Sequence, residues 1–166
     1  VARGMTRIDA IIALLFTSTL TGGFGGFVPA AKGSNTSRGS TLDRERKAVV
    51  DAAYRWIGTP YRPGGTDREG MDCSGFVTTV YQSIGRSLPR TARDMFSEGR
   101  SIPQSATRPG DLVFFKNTAG RGIAHVGIFV GSMEFIHSST SKGVIVSRLD
   151  DDYYRKHYAG TRRILE

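Results

Sequence analysis

The stretch EGMDCSGFVTTVYQSIG, Glu69–Gly85, carries the only cysteine of the chain, Cys73, at the point where a polar loop becomes an apolar helix. Cys73, Phe76, Val77, Val80, Tyr81 and Ile84 recur at i, i+3, i+4, i+7, i+8 and i+11, one stripe of a 3.6-residue period. Asp72 suits the N-cap, where a carboxylate accepts from the free N–H groups of the first turn, and Gly85 suits the C′ stop. Cys73 is thereby placed in the first turn, at the positive end of the helix dipole. That position favours thiolate over thiol and predicts a lowered pKa, with Asp72 opposing weakly. The same position equally suits a small cysteine that packs under the helix. This stretch alone does not separate the two readings.

Outward from this helix, the period of the apolar residues changes once. Upstream, Leu42, Val49, Val50, Ala53 and Ile57 give a helical stripe that stops at Gly58, with Ser40 and Asp43 as a short capping pattern. GTPYRPGGTDREG then reads as an irregular loop leading into Cys73. Downstream, LPRTARDMF predicts a short helix and RPGD a turn. LVFF, IAHVGIFV, EFIH and GVIVSRL are β-branched and aromatic runs separated by Gly and Ser turns. A late helix is expected near Asp150–Lys156 and a last strand near Tyr158–Ile164. Helices first and a strand meander afterwards indicate an α+β domain, with helices packed on an antiparallel sheet of five to six strands.

Two histidines fall in that sheet, His125 in IAHVGIF and His137 at the end of EFIH. A thiol nucleophile needs a base within hydrogen-bond reach, and the base needs a third group to orient it. Cys73, His125 and His137 supply such a trio if the cysteine helix packs on the sheet. A plain two-residue turn at Ser132-Met133 puts the two histidines on opposite faces. A three-residue turn or a bulge makes them diagonal neighbours on one face, roughly 7–8 Å apart. One or the other is therefore expected. His157 is expected at the surface. A zinc site from Cys73, His125, His137 and Asp72 lacks the local ligand spacing that zinc sites show, so neither metal nor cofactor is expected.

Composition bounds the rest. The 166 residues, 39% hydrophobic, suffice for one domain with a real core, and a single cysteine excludes an intramolecular disulfide. The net charge of +8 suits an anionic partner such as a wall polymer or a lipid surface. No basic stripe interleaved with aromatics is present, which argues against nucleic acid. Residues 1–31 show a secretory pattern: Arg3 and Arg7 around Met5, the apolar AIIALLF and a small-residue site at VPA. An uncleaved anchor is the second reading of that segment. LTGG has the form of a lipoprotein box with Gly23 where the lipidated cysteine belongs, so the chain as written has no lipidation site there. Residues 32–40 read as a flexible linker and 41–166 as the domain.

From about Val49 to Leu165 the chain resembles the NlpC family of cell-wall cysteine peptidases, and within it the Spr-like murein DD-endopeptidases. The motifs GTPYRPGG, DCSGF, LPRT, RPGDLVFF, HVGIFVG, FIHSSTSKGVIVS and YAGTRRIL carry the likeness, in family order and spacing. The resemblance implies a papain-like fold, with Cys73 as nucleophile, His125 as general base and His137 as the residue that orients it. It further implies Tyr61 beside the oxyanion site, and Asp72 with Ser74 in binding the peptide. Pro63 and Met95-Phe96 depart from the family pattern at positions expected to shape a substrate subsite. The implied protein is an exported, monomeric hydrolase of peptidoglycan peptides in the periplasm or cell envelope. The bond expected to be cut is the D-alanine–meso-diaminopimelate cross-link; cleavage of the D-Glu–diaminopimelate stem bond, a papain-like acyltransferase and a non-catalytic wall-binding module are the alternatives.

Overall fold

The computed structural model describes residues 35–118 and 120–166, with side chains from Gly39 onward. The expectations of a signal or anchor segment and of a missing lipidation site lie outside the described residues. Four helices and eight strands follow in the order α1 (Asn35–Tyr54), β1 (Thr66–Asp67), β2 (Gly70–Met71), α2 (Cys73–Gln82), α3 (Ala92–Met95), β3 (Arg100–Ile102), β4 (Leu112–Lys116), β5 (Ile123–Gly131), β6 (Glu134–Ser139), β7 (Gly143–Arg148), α4 (Asp152–His157) and β8 (Tyr158–Arg163). Strands β3 to β8 form one antiparallel sheet in the order β3-β8-β4-β5-β6-β7, while β1 and β2 make a small ribbon in the loop before Cys73.

The α2 stripe forms as its periodicity predicts. Phe76, Val77, Val80 and Tyr81 are fully buried, and Cys73 and Ile84 pack at the margin of the same core. Asp72 is the N-cap and accepts from the Gly75 N–H at 2.7 Å. The helix closes through Gly85 at φ +75, with N–H bonds from Arg86 to Tyr81 O and from Gly85 to Gln82 O. That pair of bonds is the glycine-based C-terminal motif. Inward residues of the sheet, including Phe114, Val126, Ile128, Ile136 and Val144, complete the main core. Val113, Phe115, Phe129, Phe135 and Leu149 form a second cluster on the other sheet face, beneath Tyr154 and Tyr158.

The N-terminal boundary differs from expectation. Helix α1 runs through Asn35–Ser40, so that part of the expected linker is helical and Ser40 stands inside the helix rather than at its start. Ile57 lies beyond the helix and is exposed. The helix is fixed by an ion-pair cluster rather than by an apolar stripe alone. Arg46 donates to Asp111 at 3.0 Å, to the Pro109 carbonyl and to the Leu165 carbonyl. Arg163 of β8 donates to the same Asp111 through Nε at 3.0 Å and Nη2 at 2.7 Å. A buried carboxylate is tolerable when its lone pairs are filled in this way. Short β3, β1 and β2 were not foreseen, because runs of two or three residues carry no readable alternation.

Candidate active site

The β5–β6 hairpin decides where the histidines stand. Its turn has two residues, Ser132 and Met133, both at positive φ (51 and 63). The ladder shifts register between Phe129 and Gly131, so the expected irregularity is a bulge at Val130. His125 and His137 share a face, and Nε2 of His125 lies 2.7 Å from Nδ1 of His137. Gly127 leaves the room for this: a Cβ there would stand 2.9 Å from the Ile136 carbonyl oxygen and 3.1 Å from the His137 Cβ. The H-x-G of HVGIF is thus a packing requirement of the histidine pair.

His137 is almost fully buried, stacked on Phe135 with centroids 4.9 Å apart. Its Nε2 meets two hydroxyls, Ser147 Oγ at 3.0 Å and Tyr154 Oη at 3.1 Å. Neither hydroxyl was singled out from sequence. The alternation of Ile145 and Ser147 in GVIVSRL was a signal that one face of β7 continues the histidine face; Tyr154 had none. Burial depresses both imidazoles, His125 to about 4 and His137 to about 3, with His125 adding to the effect on His137. Both rings are therefore neutral at pH 7.

Cys73 sits at the opening of α2, partly exposed, with its sulfur against the backbone N–H of Val126, the residue after His125. A second register shift, between Phe115 and Lys116, bends β5 just before His125. Ile123 and Ala124 line an open cleft with Cys73 and Tyr61, while His125 and His137 line a second one of about 410 Å³. The strand start thus separates the thiol cleft from the histidine cleft. The expected lowering of the thiol pKa does not occur. Burial pushes the Cys73 thiol up and Asp72 adds to this, outweighing the N–H groups of Val126, Ser74 and Cys73. The resting thiol and both imidazoles are neutral, and no hydrogen bond joins Cys73 to His125.

Asp72 is engaged within the protein on both oxygens. Arg90 of LPRT grips it from two nitrogens, at 3.0 and 2.7 Å, and also donates to Ser74 Oγ at 2.8 Å; Gly64 N–H donates at 2.9 Å. Burial pushes the Asp72 carboxyl up, but the bonds from Arg90, Gly75 and Gly64 prevail and leave it below its ordinary value. Arg90 had no role assigned from sequence, and its motif was the available signal. Tyr61 is half-buried at the cleft, its phenol raised by burial and then by the neighbouring Cys73 and Asp72. Met95 is fully buried and Phe96 packs edge-on against Phe114 at 5.1 Å, so these two serve the core and do not shape the cleft as expected. Pro63 is exposed. His157 lies partly exposed at the surface, as expected, and its Nδ1 pairs with the Lys116 carbonyl at 2.9 Å. Among the described residues, no cluster of three His, Cys, Asp or Glu is placed to hold a metal ion.

A helix-borne cysteine, a histidine pair on an antiparallel sheet and an Asp–Arg brace coincide with a known pattern, since residues 58–163 match the NlpC/P60 family. The chain belongs to the NlpC/P60 family. Probable endopeptidase NlpC of Escherichia coli K12 is 47% identical over 115 residues, 69% of this chain and 75% of that one. Murein DD-endopeptidase MepS/murein LD-carboxypeptidase of the same strain is 40% identical over 121 residues, 72% of this chain and 63% of the relative. An NlpC/P60 family protein from Bacillus cereus ATCC 10987 superposes with a TM-score of 0.69 at 32% identity, over 73% of this chain and 40% of that one. The NlpC/P60 likeness makes the fold papain-like, as the motifs implied.

Proposed function

We propose that this NlpC/P60 chain is a cysteine endopeptidase of the cell envelope that hydrolyses peptidoglycan, opening the cross-link between D-alanine and meso-diaminopimelate. The observation that carries the reading is the 2.7 Å bond between His125 and His137, on the strand whose Val126 N–H touches the Cys73 sulfur. The named activity of the MepS relative supports the bond chosen. Export to the periplasm and action as a monomer complete the reading.

The chemistry follows from the protonation states. With Nε2 of His125 engaged by His137, Nδ1 is the nitrogen left to take the thiol proton. For Nδ1 to be free, His125 carries its proton on Nε2 and donates to His137 Nδ1. His137 then carries its own proton on Nε2 and donates to Ser147 or Tyr154. The opposite chain of tautomers puts a proton on His125 Nδ1 and disables the base. Because burial holds the thiol up and the imidazole down, proton transfer is coupled to attack rather than complete beforehand. Cys73 Sγ bonds to the carbonyl carbon, and the oxyanion is held by N–H groups at the α2 start with Tyr61. The C–N bond breaks as His125 returns the proton to the leaving amine. Water, deprotonated by His125, then hydrolyses the thioester. Asp72, locked by Arg90, fixes the helix start and one wall of the thiol cleft.

Digestion of purified sacculi with mass analysis of the fragments tests the reading. Cross-linked dimers become monomers with new amines, and Cys73→Ala abolishes this while leaving the fold intact. Retained hydrolysis in that variant would end the cysteine mechanism. Free stems cut while dimers survive would remove the cross-link assignment.

A further inference from the structure

The histidine cleft has a polarity that the proposed reaction leaves unused. It runs along β7, past Ile145 and Ser147, from Lys142 in the β6–β7 turn to Asp151 before α4. The six residues of β7 set those ends about 20 Å apart. Lys142 is exposed, and its side chain has no ion-pair partner among the described residues. Ser139 lines the cleft with His125 and pairs with Gly143, next to Lys142. With strands about 4.8 Å apart, two strand spacings place the Lys142 backbone on the order of 10 Å from that of His125. A lysine stem spans more than half of that distance, and Lys142 and His125 line the same cleft, so the ammonium is within reach of the space beside the His125 ring.

We propose that Lys142 binds the free α-carboxylate of the residue that leaves as amine, and so selects the bond. This rests on the cross-link reading above. His125 must protonate the departing nitrogen, so the amine half of the substrate lies on the histidine side and the acyl half in the thiol cleft. In the D-alanine–diaminopimelate cross-link, the carbon bearing that nitrogen also bears a free carboxylate, one bond away. In the D-Glu–diaminopimelate stem bond, the corresponding carboxyl is itself amide-linked and uncharged. A cation beside His125 therefore strengthens binding of the first bond and not of the second. Asp151, at the far end, leaves the positive end of the cleft next to the chemistry and repels an acidic group placed in the reverse direction.

The test pairs enzyme and substrate changes. Wild type, Lys142→Ala and Lys142→Arg are assayed on a cross-linked dimer with the free carboxylate and on the same dimer with that group converted to a carboxamide. Wild type is expected to show a kcat/KM about tenfold lower on the carboxamide, mainly through KM, as for one charged hydrogen bond in an open cleft. Lys142→Ala treats the two dimers alike, and Lys142→Arg restores most of the preference. A Lys142→Ala enzyme that keeps the tenfold preference overturns the proposal while the cross-link reading stands. Wild type that opens neither dimer yet cuts stems overturns both.

Discussion

Replacing Ser147 and Tyr154 together by Ala and Phe removes both acceptors seen by Nε2 of His137, at 3.0 and 3.1 Å. The Phe ring keeps the edge contacts that Tyr154 makes with Phe135 at 4.9 Å and with Phe115 at 5.2 Å, so the aromatic cluster is preserved. His137 is 2% exposed, and its N–H then has no protein partner. An orphaned buried donor costs about 1–3 kcal/mol. The alternative, with the proton on Nδ1 facing His125, orphans the Nε2 lone pair instead, a smaller cost, and forces a proton onto the base. With the donor costlier by about 1 kcal/mol, the productive fraction should fall by about fivefold, and kcat/KM with it. Each single variant keeps one acceptor and should lose less than about threefold. Muropeptide-dimer hydrolysis gives the rates, and long-range nitrogen–proton NMR of the two rings reads the tautomers. A double variant with full activity, or one that loses activity with both rings still protonated on Nε2, refutes the relay.

Alkylation of Cys73 by iodoacetamide should keep accelerating with pH beyond the ordinary thiol value of about 8.5, because burial holds the thiol up; a plateau already reached near pH 6 means a resting ion pair instead. The folded protein should lose stability on acidification from pH 6.5. The unfolded chain protonates its histidines near 6.5, whereas the folded His125 and His137 refuse protons until about 4 and about 3. The loss is at most ~1.4 kcal/mol per pH unit for each ring, and replacing both by Gln should flatten the urea midpoint between pH 6.5 and 4. Gly127→Ala should cost about 1–3 kcal/mol and most of the activity, since the new methyl meets the Ile136 carbonyl at 2.9 Å and displaces His137. Unchanged denaturation and rate would show that the strand yields freely there.

The parts of the molecule governed by local rules were readable. The α2 stripe, its Asp72 cap and its Gly85 stop follow from spacing, and the Val130 bulge follows from asking how two histidines reach one face. What escaped depends on tertiary burial. The helix start argues for an acidic thiol, but the sheet packed against it removes the water that a thiolate needs. Asn35–Ser40 reads as linker because Gly, Ser and Asn are weak helix formers, yet α1 continues through them. Met95 and Phe96 follow LPRT closely enough to resemble cleft residues, and only the turn of α3 carries them into the core. Ser147 and Tyr154 matter through a ring 10 and 17 residues away, which no local pattern encodes.

The Asp111 cluster has a consequence for the order in which the chain assembles. Arg46 of α1 binds a carbonyl 119 residues downstream, at Leu165, and shares its carboxylate with Arg163 of β8. The first helix therefore has no finished seat until the last strand has been made, and every nascent chain short of it leaves Arg46 and Asp111 only partly paired. Such long loop closures slow folding. Slowness of this origin leaves the latch open until the whole domain has been synthesised, so a truncated chain that lacks β8 and Leu165 has no way to seat its first helix.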